Sequence, residues 1–315
     1  MNNNRFCTNV EGINIPCFFS EECFRSALAF KPKSGDVFVV TYPKCGTTWM
    51  QTLVLNILRR GQPLDNPTDF HLASPFLDML GAEDAEERML KPGVYKTHLP
   101  SWKVPWSANA KYIYVARNPK DCCISFYHHM KVLPGYQFAD GSFKEFLDLF
   151  LSGEVEYGNY FDHLIPWYNK RNNSNIYFTT FENMKTDFKK VALEVAEFID
   201  KKEAEYLLHN PEVLEKICHN CSFDVMKKII NEGLSALYNN MDRRVFEKLP
   251  KGRQHVLNYV QSLPKKQESK VQLVRKGQIG SWSSEMTSEE IDVLNNEIIK
   301  RTKDSDVMSL WKSYE

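Results

Sequence analysis

One turn of the chain combines a lysine, a glycine and two threonines directly after a predicted buried strand. The apolar run DVFVVTYP (36–43) ends there, and the segment that begins at Thr47 has the apolar spacing of a helix. Backbone N–H groups at a helix start have no partner within the helix, and the helix dipole favours negative charge at that end. Lys44 adds a positive charge, so the turn predicts an anion site. An ordinary turn with a surface lysine is the alternative.

The order of these residues differs from that of a nucleoside triphosphate loop. A Walker A motif, G-x-x-x-x-G-K-[ST], has its lysine after the second glycine. In this chain Lys44 precedes Gly46 by two positions. The expected anion is therefore not a nucleotide γ-phosphate, and a nucleotide kinase is disfavoured.

A second polar group ends the predicted strand GVYKTHLP (93–100). Lys96 and His98 are two positions apart, so their side chains point to the same side of a strand. A cationic lysine nearby favours the neutral form of a histidine, which is the form that a general base requires. His98 is thus a candidate base, and a purely structural histidine is the alternative.

Two further clusters suit a second phosphate group. Arg117 ends the apolar run AKYIYVARN (110–118), and Ser125 lies two turns into the helix that is predicted to follow. The segment VRKGQIGSW (274–282) supplies a basic pair and a glycine, Arg275, Lys276 and Gly277. Guanidinium groups bind phosphate through parallel hydrogen bonds, so both clusters indicate phosphate binding.

Predicted strands and helices alternate, which indicates where these side chains meet. After the three runs above, NIYFTTFENM (175–184) is a further predicted strand, and a helix follows up to Ile199. Asn118 before a proline is typical of a helix start, and Thr287 with Glu290 is typical of a capping box. The alternation predicts an α/β fold, a single domain with a mostly parallel central sheet flanked by helices. In such sheets ligands bind beyond the carboxyl ends of the strands, where these polar clusters fall.

Composition limits the classes of function. Forty basic residues balance forty acidic ones, so no overall charge favours nucleic acid or an anionic membrane. The sequence shows no apolar run near the roughly 18 residues that a bilayer span needs, and its start lacks a signal-peptide pattern. Cys218 and Cys221 form a lone C-x-x-C without further ligands at metal spacing. We therefore expect a cytoplasmic protein that binds neither nucleic acid nor membrane and whose cysteines are free thiols.

The 315 residues divide into three parts. We predict an N-terminal segment over 1–33, a domain over 34–302 and a C-terminal tail over 303–315. The polar segment 231–272 interrupts the domain and contains one predicted amphipathic helix, which Pro264 ends. A long excursion of this kind in a compact domain is typical of a lid or a disordered loop.

Together and in this order, the four clusters resemble the cytosolic sulfotransferase family. TYPKCGTTW resembles the family's 5′-phosphosulfate loop, T-Y-P-K-S-G-T-T-W, and KTHLP resembles the segment that carries its catalytic histidine. YVARNPKDCCIS resembles the 3′-phosphate strand and helix, and RKGQIGSW resembles the C-terminal R-K-G-x-x-G-D-W segment. The resemblance runs from about residue 34 to the C-terminal helix. Each motif alone is modest, but four in order are specific.

The resemblance implies a donor, 3′-phosphoadenosine 5′-phosphosulfate (PAPS), and a product, 3′-phosphoadenosine 5′-phosphate (PAP), without a metal. His98 would remove the acceptor's proton, Lys44 would neutralise the leaving phosphate oxygen, and Lys96 would assist at the sulfuryl oxygens. Trp49 and Phe223 would flank the adenine. The residues implied to hold the nucleotide are Lys44, Cys45, Gly46, Thr47, Thr48, Trp49, Arg117, Ser125, Phe181, Cys221, Ser222, Phe223, Arg275, Lys276 and Gly277.

The sequence leaves the acceptor open. Phe76, Phe126 and Tyr127 are expected to line an apolar pocket next to Lys96 and His98, although these aromatic residues could equally be core. Such a pocket suits small phenols, monoamines or sterols. The alternative function is a catalytically inactive homologue that binds a ligand, and such a homologue would be expected to lose the loop lysine or the histidine.

Several positions depart from the family's pattern. Phe181 replaces a tyrosine, Cys221 a threonine and Leu273 an aromatic residue, so weaker or altered donor binding is expected. Cys45 replaces a serine. A thiol beside a lysine at a helix N-terminus is expected to have a lowered pKa. Cys45 is therefore predicted to do little for transfer but to expose the site to oxidants.

The family's dimer motif, K-x-x-x-T-V-x-x-x-E, is degraded in this chain. Ser283, Ser288 and Asp292 stand at its other positions, and only Thr287 remains. Dimerisation of the family's type is therefore uncertain.

Overall fold

A computed structural model gives the fold, and it describes residues 5–64, 69–238, 243–264 and 274–314. The first strands, β1 (Cys7–Val10) and β2 (Ile13–Pro16), form an antiparallel hairpin, which is not among the predicted elements. The next strands form one parallel sheet. They are β3 (Val37–Thr41), β4 (Tyr95–Thr97), β5 (Lys111–Ala116) and β6 (Ile176–Thr180), in the spatial order β4-β3-β5-β6.

Helices flank this sheet. The described helices are α1 (Glu21–Leu28), α2 (Thr47–Leu58), α3 (Phe70–Ala73), α4 (Leu77–Leu80), α5 (Ala82–Glu87), α6 (Pro119–Val132), α7 (Phe143–Ser152), α8 (Tyr160–Asn169), α9 (Phe181–Thr186), α10 (Phe188–Ile199), α11 (Lys201–His209), α12 (Pro211–Asn220), α13 (Phe223–Tyr238), α14 (Arg243–Phe246), α15 (Lys251–Ser262) and α16 (Ser288–Thr302). Short 3-10 helices cover Pro134–Tyr136, Ser281–Ser284 and Val307–Tyr314.

The sheet has a hydrophobic core on each face. Along β3, Val37 and Val39 pack into one core, whereas Phe38 and Val40 pack into the other. A strand that is covered on both faces has no solvated side, which explains why the sequence of β3 is apolar throughout. The predicted fold class, an α/β domain with a mostly parallel central sheet, is confirmed.

The boundaries of the predicted helices agree with the structure at two of their starts. Asn118 caps α6 by accepting a hydrogen bond from the N–H of Lys120. Thr287 and Glu290 form the predicted capping box of α16. One strand was predicted too long: β6 ends at Thr180, because the Thr180 side chain accepts from the N–H of Asn183 and starts α9 there.

The excursion 231–272 contains the predicted amphipathic helix, α15. Gly252 brings the backbone of this helix against α4, since a Cβ at this glycine would lie 1.9 Å from the carbonyl oxygen of Met79. Any other residue there would therefore move α15. Leu273, a predicted departure from the family's pattern, lies outside the described residues.

The eight cysteines are free, as predicted. Among the described residues, no helix combines the length and hydropathy that crossing a membrane requires.

Glu182, at the start of α9, joins three parts of the fold. Its buried carboxylate accepts hydrogen bonds from the N–H of Asn118 at 2.9 Å and from the indole Nε1 of Trp311 at 2.8 Å. Without the carboxylate, both buried donors would lose their acceptor, and each unsatisfied group costs about 1–3 kcal/mol.

We therefore expect Glu182→Ala to lower the free energy of unfolding by about 3 kcal/mol. Urea denaturation followed by circular dichroism measures this change. Glu205→Ala, an exposed position on α11, serves as the control and should stay within about 0.5 kcal/mol. A loss below about 1 kcal/mol in Glu182→Ala would show that the two donors find other partners.

Candidate active site

A cavity of about 700 Å³ lies at the carboxyl ends of the parallel strands. Residues that follow each of the four strands line it, as expected for ligand sites in sheets of this kind. The lining includes these residues predicted from the sequence: Lys44, Gly46, Thr47, Thr48, Trp49, Phe76, Lys96, His98, Arg117, Ser125, Phe181, Cys221, Ser222, Phe223, Arg275, Lys276 and Gly277.

Two predicted acceptor residues, Phe126 and Tyr127, do not line the cavity formed by the described residues, so that prediction is wrong. Both lie on α6 beside Ser125, which does line it, but successive residues of a helix point about 100° apart. The ring of Phe126 packs in the core against Tyr42 and Phe146. The hydroxyl of Tyr127 donates to the carbonyl of Gly141.

The turn after β3 has an unusual backbone. Lys44 has a φ of 70° and Gly46 a φ of 98°, both in the left-handed region. A non-glycine residue in this region is uncommon, and such strain is held by the surrounding structure. Here Arg117 holds the turn, because its Nη1 donates to the carbonyl of Lys44 at 3.1 Å. Gly46 precedes α2 and has no side chain to cap it, so the first N–H groups of α2 are uncapped where Gly46, Thr47 and Thr48 line the cavity.

Cys45 points away from this turn. Its thiol is buried in the core, 3.7 Å from the Sγ of Cys122, and its own N–H donates to the carbonyl of Tyr42. Burial raises the pKa of the Cys45 thiol well above its usual value, and contact with Cys122 adds to this. The predicted low pKa and exposure to oxidants are therefore wrong, because the thiol faces apolar residues and not the helix dipole.

His98 is held in one orientation. Its Nδ1 lies 2.8 Å from the carbonyl oxygen of Thr41, and a carbonyl only accepts, so Nδ1 carries the proton. The unprotonated Nε2 is then left for the cavity. The rings of Phe76 and Tyr157 contact the imidazole edge-on, each with its centroid 5.2 Å away.

The backbone of His98 is fixed as well. Its N–H donates to Asp78 Oδ2 at 2.8 Å, and its carbonyl accepts from the Nε2 of His163 at 3.0 Å. Burial, and next the charge of Lys96, lower the pKa of His98 well below its usual value. The predicted neutral form is thus supported, with burial as the larger cause.

The pKa values of Lys44 and Lys96, two of the lysines that line the cavity, are also shifted. Burial, then repulsion from Arg117 and Lys96, lowers the pKa of Lys44 to about 7. Burial lowers the pKa of Lys96 to about 8, and its ammonium lies 3.8 Å from the centroid of the Phe76 ring. An anion in the cavity would raise both pKa values, because it favours the charged form.

The part of the cavity around Arg117 fits an anion next to aromatic rings. Arg117 is buried, and its Nε has no hydrogen-bond partner among the described residues, while its guanidinium carbon lies 4.3 Å from the centroid of the Phe181 ring. A buried donor without an acceptor is costly, so this geometry suits a phosphate that is bound there. The indole of Trp49 stacks on Phe188, with their centroids 5.2 Å apart.

The backbone of the cavity wall at Gly277 packs closely against the ring of Phe223. A Cβ at this glycine would lie 2.7 Å from Cδ2 of Phe223, one of the predicted adenine neighbours. The buried Nε of Arg117, which has no hydrogen-bond partner among the described residues, and the Phe181 ring beside it fit the implied PAP moiety. In the parts of the chain that the structure describes, no three His, Cys, Asp or Glu side chains form a group that could hold a metal ion.

Residues 34–306 match the family model of the sulfotransferase domain. The chain belongs to the sulfotransferase family. The family predicted from the four motifs is thereby confirmed, and so is the sulfotransferase class of enzyme.

Individual relatives agree with this assignment. This sulfotransferase is 31% identical to sulfotransferase 1B1 of Canis lupus familiaris over 84% of this chain and 83% of that protein. It is 30% identical to sulfotransferase 1 family member D1 of Mus musculus over 96% of this chain and 94% of that protein. Its fold is similar to that of mouse sulfotransferase SULT7A1 complexed with PAP, with a TM-score of 0.71 and 26% identity, covering 98% of this chain and 100% of that chain.

Sequence reasoning missed several polar residues of this sulfotransferase's cavity. His129 lies 3.5 Å from the Nζ of Lys44, through its Nδ1, and it follows Ser125 by four positions on α6. Helical spacing could therefore have placed it beside Ser125. Glu156 also lines the cavity and accepts from the hydroxyl of Tyr136 at 2.5 Å. No spacing signal marks Glu156, because it lies in a loop far from the motifs.

We predict that Cys45 and Cys122 resist alkylation in the native protein. Iodoacetamide at pH 7.5 should first label the partly buried Cys17, Cys23 and Cys218, because thiolate fraction and access decide the rate. Peptide mass spectrometry at several times measures the order, and unfolding in urea should make all sites react. Early native labelling of Cys45 would contradict its burial.

Proposed function

We propose that this sulfotransferase transfers the sulfuryl group of PAPS to a hydroxyl or amine of a small acceptor. When bound, PAPS supplies the activated sulfuryl group. The observation that carries the proposal is one cavity that holds a neutral, oriented histidine together with two lysines and a buried arginine. The histidine suits proton removal, and the cations suit an anionic donor.

His98 is the proposed general base. Its Nδ1–H is occupied by the carbonyl of Thr41, so Nε2 is the atom that takes the acceptor's proton. The low pKa keeps Nε2 free of a proton at neutral pH. Positioned proton transfer of this kind contributes about 10²- to 10⁴-fold in rate.

Lys44 and Lys96 are the proposed stabilisers of charge at the leaving phosphate oxygen and at the sulfuryl oxygens. Fixed positive groups in a buried site are worth more than in water, because little reorganisation is needed when charge develops. His129 lies next to Lys44 and, with its pKa lowered well below the usual value mainly by burial, is a neutral neighbour that adds no positive charge.

The other cavity residues of the motifs are proposed to hold the nucleotide. The uncapped start of α2 and Gly46 would bind the 5′-phosphosulfate through backbone N–H groups. Arg117, whose Nε has no partner in the part of the chain that the structure describes, would bind the 3′-phosphate together with the motif residues Ser125, Arg275, Lys276 and Gly277. The PAP-bound SULT7A1 structure supports this nucleotide, since that protein has the same fold at 26% identity.

The acceptor is proposed to lie between the base and α15. Apolar residues there include Phe76, Met79 and Val256, whereas Glu156 and Tyr136 supply a polar pair. Phenols, monoamines and sterols all fit such a mixed wall. Because α15 carries Val256, we propose that the described part of the excursion 231–272 covers the acceptor.

The oligomeric state and cellular location stay predictions. Thr287, which remains from the dimer motif, caps α16 through its capping box. Ser288 and Asp292 are exposed on the same helix. A cytoplasmic location remains the expectation from the sequence.

We expect wild-type protein to transfer ³⁵S from labelled PAPS to members of a panel of phenols, monoamines and sterols. His98→Ala should lower kcat about 10²- to 10⁴-fold while PAP still binds, because the base does not hold the nucleotide. His209→Ala, an exposed histidine of α11, is the control and should retain full activity. Equal turnover in His98→Ala and wild type would remove His98 as the base. PAP binding without transfer to any acceptor would favour the inactive ligand-binding homologue.

We also expect PAP affinity to weaken as pH rises from about 7.5 to 9. The nucleotide's charge raises the pKa of Lys44 from about 7 and that of Lys96 from about 8, so protons are taken up on binding. By linkage, each lysine can contribute about tenfold in Kd per pH unit in this window, where phosphate itself is fully ionised.

Isothermal titration calorimetry in buffers of different ionisation enthalpy measures both the Kd and the proton uptake. Lys44→Arg should flatten the pH dependence without abolishing binding, because arginine does not titrate in this range. A wild-type Kd that does not change between pH 7.5 and 9 would contradict the shifted lysines.

A further inference from the structure

The basic pair of the C-terminal segment carries a counter-ion from this chain. Oε1 of Glu285 accepts from Nη1 of Arg275 at 2.9 Å and from Nζ of Lys276 at 2.8 Å. Oε2 of the same carboxylate bonds to Nε2 of His128, on α6. One carboxylate therefore binds both cations and ties them to a helix of the domain.

The backbone segment that precedes Glu285 is held in place by a second carboxylate, that of Asp121. Asp121, in the first turn of α6, accepts from the N–H of Gly280 at 2.7 Å and from the N–H of Trp282 at 3.2 Å. The hydroxyl of Ser281 donates to the same carboxylate at 3.1 Å. These hydrogen bonds fix the segment directly before Glu285 against α6. Together with the contact between Glu285 and His128, they set the position of Glu285 relative to α6.

Glu285 is ionised across the physiological range. Burial alone would raise its pKa, but the hydrogen bonds from Lys276, His128 and Arg275 together outweigh burial and lower the pKa to about 2. The Glu285 side chain is 17% exposed, so solvent screens its charge only in part. One full negative charge therefore lies against the two cations at neutral pH.

The negative charge of Glu285 affects the proposed phosphate site although Glu285 does not line the cavity formed by the described residues. Arg275 and Lys276 line the cavity together with Arg117 and Ser125, whereas Glu285 is outside the lining formed by the described residues. An arginine has five N–H donors and a lysine three, so both can bind a phosphate while they keep their contact with the carboxylate. The carboxylate then orients the donors but reduces the positive field that a phosphate meets.

We propose that Glu285 is a positioning residue that sets how tightly the 3′-phosphate is held: it aligns Arg275 and Lys276 and weakens their attraction for the phosphate, so that the product nucleotide can leave. This inference rests on the proposed function, in which the pair binds the 3′-phosphate. A residue that only stabilised the fold would not change the discrimination between nucleotides with and without that phosphate.

The test compares Glu285→Gln with wild type by calorimetric titration with PAP and with adenosine 5′-phosphate, which lacks the 3′-phosphate. Glutamine keeps the shape and an acceptor oxygen but removes the charge, so PAP should bind about tenfold tighter. Adenosine 5′-phosphate should bind within about twofold of its wild-type affinity. Glu285→Ala removes the alignment as well, so its gain in PAP affinity should be smaller than that of Glu285→Gln.

Glu289→Gln is the matched control. Glu289 is an exposed carboxylate in the first turn of α16, so its loss changes the net charge by the same amount. Its effect on PAP affinity should stay within about twofold. Thermal unfolding of each variant checks that the fold is retained.

The outcomes separate the two proposals. Unchanged or weaker PAP binding by folded Glu285→Gln overturns the role of Glu285 while the proposed function stands. An equal gain for PAP and adenosine 5′-phosphate also overturns it, because the effect would then not pass through the 3′-phosphate. Wild-type protein that does not bind PAP overturns the proposed function, and the inference with it.

Discussion

The cavity concentrates positive charge in a place that water reaches poorly. Lys44, Lys96 and Arg117 line this cavity together. Burial lowers the pKa of both lysines, and repulsion from Arg117 and Lys96 lowers the pKa of Lys44 further. Like charges in a medium of low polarity are unfavourable unless an anion joins them. The buried Nε of Arg117, which has no hydrogen-bond partner among the described residues, and the left-handed backbone at Lys44 are likewise unfavourable by themselves. The site is thus arranged for an anionic ligand, and without that ligand the arrangement lowers the stability of the protein.

The parallel sheet provides the framework for this arrangement. Its strands are covered on both faces, so most of their side chains pack into the two cores. Among the described residues of this sheet only Lys96, in β4, lines the cavity, and the other lining residues lie outside its strands. Hydrogen bonds that cross between elements then fix those residues. Thr41 orients His98, Arg117 binds the turn at Lys44, and Glu182 ties α9 to the start of α6.

The sequence alone predicts the position of residues that directly follow a buried strand. Lys44, His98 and Arg117 follow apolar runs, and parallel strands bring such positions together, so the fold class and the site could be predicted jointly. The errors concern direction within a turn or helix. Phe126, Tyr127 and Cys45 are adjacent in sequence to residues that line the cavity, but their own side chains face the core. A motif resemblance does not give the direction in which a side chain points. Glu156 and Glu285 depend on contacts between distant segments, which spacing does not reveal.

The close contact at Gly252 links the position of α15 to the position of the His98 backbone. It seats α15 on the carbonyl of Met79, and the residue before Met79 is Asp78, whose carboxylate holds the N–H of His98. One four-residue helix, α4, therefore supports both the proposed cover of the acceptor, α15, and the backbone of His98, the proposed base. If both proposed roles hold, an acceptor that displaces α15 would also disturb the alignment of His98, and a bulky acceptor would then lower the turnover number as well as the affinity.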